Sequence, residues 1–402
     1  VTTSDPQTPS RYGIDLVEIA RVRRLLNELP REDLLRVFSE RELVEAGTGL
    51  EPARLAARFA AKEACLKLFP RETSLGKLAQ GDFEVISDGY GAPRVICTAT
   101  AADVLARHWL EDIALSLSHD GSHATAVAVA RPRRLDAPWT GKFMYHCLPI
   151  RRSVVLSNLR RAFGDALDDR QIVTLAQGFY AHLLRSLSEF TRVNLMPRRL
   201  QPAVRVENVE AILKAHALGK GVLVLSGHFG NWEVVLPRAI ESFPQYRGQF
   251  HILRRPLRLG PFDRLVTHRM RKSGLEVIPK RGSLQTILDR IGAGDAVVFI
   301  MDQHAGARDG VLSEFFGCPA WTFRSLALVA LSTKAPVVPA AVWREADGAH
   351  VLRFEEALWP VDGATADEAI AANTRRYNEV LERIIIRHPE QWFWFHRRWK
   401  PR

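Results

Sequence analysis

Two sets of residues in this 402-residue chain have types and spacings suited to chemistry. The first lies in Ser226-Gly227-His228-Phe229-Gly230-Asn231-Trp232-Glu233, where a histidine precedes a carboxylate by five positions. A histidine oriented by a carboxylate is the core of a general base that activates a hydroxyl. On a regular helix five residues separate two side chains by roughly 140°. His228 and Glu233 therefore converge only if the turn bends between them, which Gly227 and Gly230 permit. The pair taken alone is weak evidence and reads first as a structural histidine. The second set is Asp15, Glu63 and Lys67. Glu63 and Lys67, four apart on a helical stretch, project from one side. The plain reading is a surface ion pair worth about 0.3–0.5 kcal/mol, with Asp15 an exposed strand residue.

The second set sits in an α+β region. Tyr12 to Ile19 reads as a strand and Arg21 to Leu29 as a helix stopped at Pro30. Arg36 to Ala46 and Pro52 to Phe69 read as further helices. Gly81 to Ser87 and Pro93 to Thr98 form a hairpin about Asp88-Gly89-Tyr90-Gly91. A helix over Ala101 to His108 follows, then strands over Ile113 to His119 and Ala124 to Ala130. Arg131 to Gly141 is basic, rich in turn formers and aperiodic, a linker signature. The expected division is 11–131, a linker over 132–142, and 143–402.

The first set belongs to the later region. Ser153 to Phe163 and Gln171 to Glu189 read as helices. In the second, Ile172, Leu175, Ala176, Phe179, Tyr180, Leu183, Leu184 and Leu187 make an apolar stripe of helical period. It suits core packing, with membrane docking or the lining of an acyl path as alternatives. Val209 to Leu218 is helical and leads to the apolar strand Gly221 to Leu225, which delivers His228, with Asn231 a candidate helix N-cap. A strand over Gln249 to Leu253 runs into Arg254-Arg255-Pro256, and Val297 to Met301 into Asp302-Gln303-His304. Alternating strands and helices indicate an α/β sheet with helices on its faces. Sites in such sheets gather beyond strand ends, where His228, Arg255 and Asp302 would lie.

With 47% hydrophobic and 25% charged residues, the chain is globular with a sizeable core. A formal net charge of +11 suits phosphates, anionic carriers or an anionic membrane face. Specific nucleic-acid binding is not expected, since the one basic triplet lies in the linker. Cys65, Cys97, Cys147 and Cys318 show no metal-ligand spacing, and inert thiols in a reducing compartment are expected. Val1 to Ser10 is polar, so no signal peptide is expected, and no apolar run reaches membrane-spanning length.

Gly13-Ile14-Asp15-Leu16-Val17-Glu18-Ile19 with Arg21, Arg58-Phe59-Ala60-Ala61-Lys62-Glu63-Ala64 with Lys67, and Ser116-Leu117-Ser118-His119 together resemble the holo-acyl-carrier-protein synthase type of 4′-phosphopantetheinyl transferase. The match runs through Gly13 to Ala130. The resemblance implies transfer of phosphopantetheine from coenzyme A to a serine of an acyl carrier protein, with release of adenosine bisphosphate. It implies Asp15 and Glu63 as Mg²⁺ ligands and Lys67 as the catalytic lysine. Hard carboxylate oxygens suit that ion, and a lysine can neutralise transition-state charge. Arg58 and His119 match positions near the coenzyme, with turn support the plain alternative for His119. A trimer with sites between subunits is also implied.

His228-Phe229-Gly230-Asn231-Trp232-Glu233, Arg255-Pro256, Met301-Asp302-Gln303-His304, Phe315-Phe316-Gly317, Ala335 to Ala340 and the tail Pro389 to Lys400 resemble the lipid A biosynthesis acyltransferases, of the lysophospholipid acyltransferase-like group. This resemblance covers Phe143 to Arg402. It implies an α/β domain with a mixed sheet flanked by helices. His228, oriented by Glu233, would take a proton from an acceptor hydroxyl, which attacks an acyl thioester. Arg255 would meet a phosphate, Asn231 would help bind substrate, and Asp302 reads as supporting rather than catalytic. Many such enzymes begin with a transmembrane anchor, and here the other domain stands in that place. Membrane contact is then expected from surface residues, with Trp392, Trp394, Trp399, Arg397, Arg398 and Lys400 a candidate cluster and core packing of the same tail the alternative.

The combined expectation is a bifunctional transferase, cytoplasmic or peripheral at the cytoplasmic face of the inner membrane. It would prime an acyl carrier protein and transfer a fatty acyl group from a carrier or coenzyme A thioester to a lipid-type hydroxyl. In the alternative, one domain is inactive and serves as a carrier-binding module.

Overall fold

Alanine sets how the first part of the chain packs. In the computed structural model, which describes residues 10–47, 51–148, 150–164, 166–195, 201–254, 260–280 and 282–400, Ala124, Ala126, Ala128 and Ala130 face inward from one strand. Ala56, Ala57, Ala60, Ala61 and Ala64 face them from a helix. Small side chains on both surfaces let the helix lie close on the sheet. Gly13 completes the fit, because a Cβ there would stand 1.9 Å from the Ala64 carbonyl oxygen.

The elements of this unit run β1 (Arg11–Glu18), α1 (Ile19–Glu28), α2 (Arg31–Leu34), α3 (Glu40–Glu45), α4 (Pro52–Leu66) and α5 (Arg71–Ser74). They continue β2 (Phe83–Ser87), β3 (Pro93–Cys97), α6 (Ala99–Arg107), β4 (Leu110–His119) and β5 (His123–Pro132). The strands form one antiparallel sheet in the order β1-β5-β4-β3-β2. Helix α4 covers one face. On edge strand β1, Tyr12, Ile14 and Leu16 point the other way and are 70%, 63% and 65% exposed.

The chain separates into two compact units, 1–134 and 135–402. The stretch expected as a linker is shorter than its composition suggests, since β5 runs to Pro132 and a helix starts at Trp139 behind Pro138. Proline at the position before a helix suits its fixed φ and missing N–H.

The second unit begins α7 (Trp139–Cys147), α8 (Arg152–Phe163), α9 (Asp169–Leu195), β6 (Val204–Glu207), α10 (Val209–His216) and β7 (Val222–Ser226). Next come α11 (Trp232–Glu241), β8 (Phe250–Arg254), α12 (Gly260–Ser273), β9 (Leu275–Pro279), α13 (Leu284–Gly292) and β10 (Ala296–Ile300). It closes with β11 (Gly310–Phe315), β12 (Cys318–Phe323), α14 (Ser325–Thr333), β13 (Val337–Arg344), β14 (His350–Phe354) and α15 (Ala366–Arg387). Seven strands make a sheet ordered β6-β14-β13-β7-β10-β8-β9, parallel except for the β13–β14 pair, while β11 and β12 form a separate hairpin. This is the expected mixed sheet with helices on its faces. Strand β7 is fully buried, as its unbroken Val-Leu-Val-Leu-Ser run requires of a strand covered on both faces. Among the described residues, no helix is long and apolar enough to cross a membrane.

Candidate functional site

Strand register brings the histidine to its carboxylate. Strands β7 and β10 are parallel neighbours, with Ser226 opposite Ile300. The chain therefore leaves the sheet at the same level on both, and neighbouring strands lie about 4.8 Å apart. His228 follows the first and Asp302 the second. His228 Nδ1 lies 2.8 Å from Asp302 Oδ1, while Asp302 Oδ2 accepts from the His228 backbone N–H at 2.6 Å and from Trp392 Nε1 at 2.7 Å. Gly227 is needed there, since a Cβ would come within 2.9 Å of Asp302 Oδ2. Burial alone would raise the Asp302 carboxyl. The adjacent His228 and the hydrogen bonds from its ring, its backbone and Trp392 outweigh that and bring it down to about 2. An ionised carboxylate only accepts, so Nδ1 donates, and in the neutral imidazole the lone pair is on Nε2.

This corrects the expectation that Glu233 orients the histidine. Among the described residues no hydrogen bond joins Glu233 to His228. Helix α11 begins at Trp232, so Glu233 lies in its first turn. Burial raises the Glu233 carboxyl, against the pull of Arg254, His228 and Arg269. Asp302, read as supporting, is the carboxylate on the base.

The tail explains how the turn is held. Phe229 and Trp392 form a β-bridge, Phe393 N donates to His228 O at 3.0 Å, and Gly230 N donates to Gln391 O at 2.9 Å. Trp392, Trp394 and Trp399 are 2%, 0% and 6% exposed, and Arg398 is fully buried over the Phe315 ring, donating to Trp321 O and Thr322 Oγ1. The tail is core packing, which overturns its candidacy as a membrane contact; only Arg397 and Lys400 of that cluster face solvent. Asn231 also differs from expectation. It precedes α11 without capping it, and its buried amide donates to Ser186 O and Glu189 Oε2 at 3.1 and 3.0 Å. Glu189 in turn holds Arg344 at 2.6 Å and His350 at 3.1 Å. None of these three has a local sequence signal, because each partner arrives from a different element.

His228 opens into a cavity of about 520 Å³. Phe179, Leu183, Leu187, Phe190, Trp232 and Phe393 supply its apolar wall, and Glu233, Arg254, Lys280, Gln303 and His396 join His228 as polar groups. The apolar stripe of α9 thus divides: Ile172, Leu175, Ala176 and Tyr180 are core, while Phe179, Leu183 and Leu187 face the cavity. A narrower apolar cavity of about 60 Å³ shares Trp232 and Ile300 with it. Arg255 lies outside the described residues. Its neighbour Arg254, at the end of β8, bonds Asp263 at 2.8 Å and Thr267 at 3.1 Å through Nη1. The buried Nη2 has no hydrogen-bond partner among the described residues. A buried guanidinium with an unused donor beside a cavity can hold an anionic oxygen.

In the first unit, α4 crosses β1 at Gly13, and this gathers the second set. Lys67 Nζ lies 2.7 Å from Asp15 Oδ1 and 3.0 Å from the Ile14 carbonyl, while Glu63 Oε1 accepts from Gln80 Nε2 at 2.7 Å. Lys67 is paired with Asp15, so the plain Glu63–Lys67 surface pair is not what forms. Asp15 and Glu63 each keep a carboxylate oxygen with no hydrogen bond to the described residues. Two such oxygens suit a hard cation that completes its shell with waters and phosphate oxygens. Among the described residues no three His, Cys, Asp or Glu side chains gather as a full protein cage. Arg58, expected near the coenzyme, is instead buried, donating to Val85 O at 3.0 Å and to Glu45 at 2.8 Å. On α4 it falls on the sheet-facing side, which its position in the motif does not reveal. His119 is exposed at the end of β4.

Comparison with known proteins agrees with this division. The profile of the bacterial lipid A biosynthesis acyltransferases matches residues 136–401, and that of the 4′-phosphopantetheinyl transferase superfamily matches 11–128. The holo-(acyl-carrier-protein) synthase of Geotalea daltonii is 40% identical over 119 residues, 29% of this chain and 94% of that protein. The enzyme of the same name from Moorella thermoacetica is 39% identical over 118 residues, 29% of this chain and 90% of its own length. A solved ACPS–CoA complex from Chronobacterium ammoniagenes is 33% identical, covers 31% of this chain and 99% of its own, and has a TM-score of 0.28.

Proposed function

The chain belongs to the bacterial lipid A biosynthesis acyltransferases through residues 136–401 and to the 4′-phosphopantetheinyl transferase superfamily through 11–128, and from that membership we propose a bifunctional transferase that primes an acyl carrier protein and moves a fatty acyl group from a thioester to a lipid-type hydroxyl. The observation that carries the acyl-transfer half is His228, tied through Nδ1 to a buried, ionised Asp302, in an apolar-walled cavity. Nε2 takes the acceptor hydroxyl proton. The resulting oxygen attacks the thioester carbonyl, the C–S bond breaks, and the departing thiolate recovers the proton from Nε2. Asp302 keeps the ring in its productive tautomer and stabilises the imidazolium in between. The wall of α9 and Phe393 suits an acyl chain, and Arg254 Nη2 suits a phosphate on acceptor or carrier. The thioester donor is an acyl carrier protein or coenzyme A.

For the first unit, coenzyme A is the donor of 4′-phosphopantetheine and a carrier serine the acceptor. Asp15 and Glu63 would hold Mg²⁺, which when bound neutralises the diphosphate under attack. Lys67 adds positive charge beside Asp15. His119 is accessible for the coenzyme, whereas Arg58 acts in folding. The exposed row of Tyr12, Ile14 and Leu16 alternates with Asp15 along β1 and supports self-association of this unit beside its acids, in keeping with a trimer.

Crossed variants test both halves. His228→Ala should abolish acyl transfer and leave phosphopantetheinylation of an apo carrier intact, read as mass gain on the carrier serine. Glu63→Ala should do the reverse. Full acyl transfer in His228→Ala removes the base assignment. A half without activity in wild type is a carrier-binding module instead.

A further inference from the structure

Gln303 and His396 face the same cavity as His228, and the proton transfer above uses neither. Gln303 Nε2 lies 3.0 Å from His228 Nε2, 3.4 Å from His228 Nδ1 and 2.8 Å from His396 Nε2. A group almost equidistant from both nitrogens of one imidazole cannot sit on the in-plane lone pair of either. The amide therefore lies over the face of the His228 ring, and the Nε2 lone pair stays open for the acceptor. The amide's orientation follows from its neighbours. An amide oxygen there would meet the electron-rich ring face, while an N–H meets it favourably. Burial, then His228, lowers the His396 imidazole to about 4, so it is neutral at neutral pH and can accept from Gln303.

Buried groups hold the backbone at both residues. Gln303 follows Asp302 at the end of β10, and Arg398, anchored on Trp321 and Thr322, reaches its carbonyl at 3.5 Å. The His396 carbonyl accepts from Asn158 on α8 at 2.6 Å, and the same amide holds Trp394 O at 2.9 Å. Such support on regular elements fixes a donor before substrate arrives, the condition under which a hydrogen bond to developing charge is most effective.

We propose that Gln303 is the oxyanion donor of acyl transfer, its amide positioned by His396. The assignment rests on the acyltransferase reading of this unit. One N–H of Gln303 is directed to His396 Nε2, and the other, which rests against the His228 ring before substrate binds, is the one that turns to the oxyanion. As the acceptor oxygen adds to the carbonyl carbon, the carbonyl π pair moves onto oxygen, and that oxyanion accepts from Gln303 Nε2–H. Collapse of the adduct returns the pair to the carbonyl and expels the thiolate. The donor and the base nitrogen lie 3.0 Å apart and face the same cavity, so one bound thioester can meet both.

The test uses the full chain with palmitoyl-coenzyme A and a total bacterial lipid extract, reading thiol release and labelled lipid. Gln303→Ala and the similarly sized Gln303→Met should lower kcat by about 10²- to 10³-fold with KM within threefold. His396→Ala should lower kcat by at least tenfold. His396→Gln, whose amide oxygen can accept from Gln303, should recover most of that loss, which a packing role would not predict. If wild type transfers, His228→Ala does not, and Gln303→Met keeps kcat within threefold, the proposal is overturned while the base assignment stands. If wild type transfers no acyl group, the acyltransferase reading falls and the proposal with it. Should both Gln303 variants fail to fold, the His396→Ala and His396→Gln comparison decides, and equal loss in the two overturns it.

Discussion

At the scale of single residues, the acid that serves the base is the one that strand register delivers. His228 meets Asp302, 74 positions away, rather than Glu233 five positions on. Asp302→Asn should therefore lower kcat for acyl transfer by roughly 10²- to 10⁴-fold with little change in KM, since it loses the acceptor that sets the tautomer. Glu233→Gln, which removes a charge but no bond to the ring, should lose less. A larger kcat loss for Glu233→Gln than for Asp302→Asn in single-turnover assays would return the orienting role to Glu233. The motif pairs His228 with Glu233, whereas the structure pairs it with Asp302, because spacing along the chain carries no information about which neighbouring strand ends beside it. Arg254 and Arg255 show the same limit. Adjacent basic residues are indistinguishable in sequence, and it is the end of β8 that places Arg254 at the cavity.

At the scale of elements, buried polar residues hold the site and also obscure some helices. Helix α15 buries Asn373, Thr374, Asn378 and Glu382 among its apolar positions, so its stripe is interrupted in sequence. Asn378 donates to Glu314 O at 2.8 Å, and Glu382 accepts from Phe316 N at 2.9 Å. Around α9, the same habit has a consequence for acid stability. Burial and then Arg344 lower His182 to about 3, and burial lowers His396 to about 4. Both values lie below the roughly 6.5 of a free histidine, so the unfolded chain binds more protons between them. Stability from keeping them neutral is complete above about pH 6.5 and declines as pH falls towards 4 and then 3. Asp302 and Glu189, each held near 2, add stability above the ordinary carboxylate range that is lost as pH falls through their folded values. Melting temperature should therefore fall steadily from pH 6.5 to 4, and His182→Gln should flatten that slope. An unchanged slope in the variant would mean that His182 is not a source of it.

At the scale of the whole molecule, the candidate residues of each site come from one compact unit: Asp15, Glu63 and Lys67 from the first, His228, Asp302, Gln303 and His396 from the second. A net charge of +11 favours an acidic carrier as the shared partner. Raising salt from roughly 0.05 to 0.5 M should raise KM for an apo carrier severalfold in the priming assay and leave kcat unchanged, since screening acts on encounter rather than on chemistry. A KM independent of salt would assign recognition to apolar contacts. Two units, an α+β sheet and a mixed α/β sheet, were legible in the sequence because strand alternation, helical period and turn chemistry are local properties. So were the residue types of both sites, because His228, Asp15, Glu63 and Lys67 stand in short motifs. The pairing of Lys67 with Asp15, of His228 with Asp302, and of Gln303 with His396 was decided only by tertiary structure. Each joins side chains from different elements, and the register and close packing that bring them within about 3 Å arise only when those elements meet.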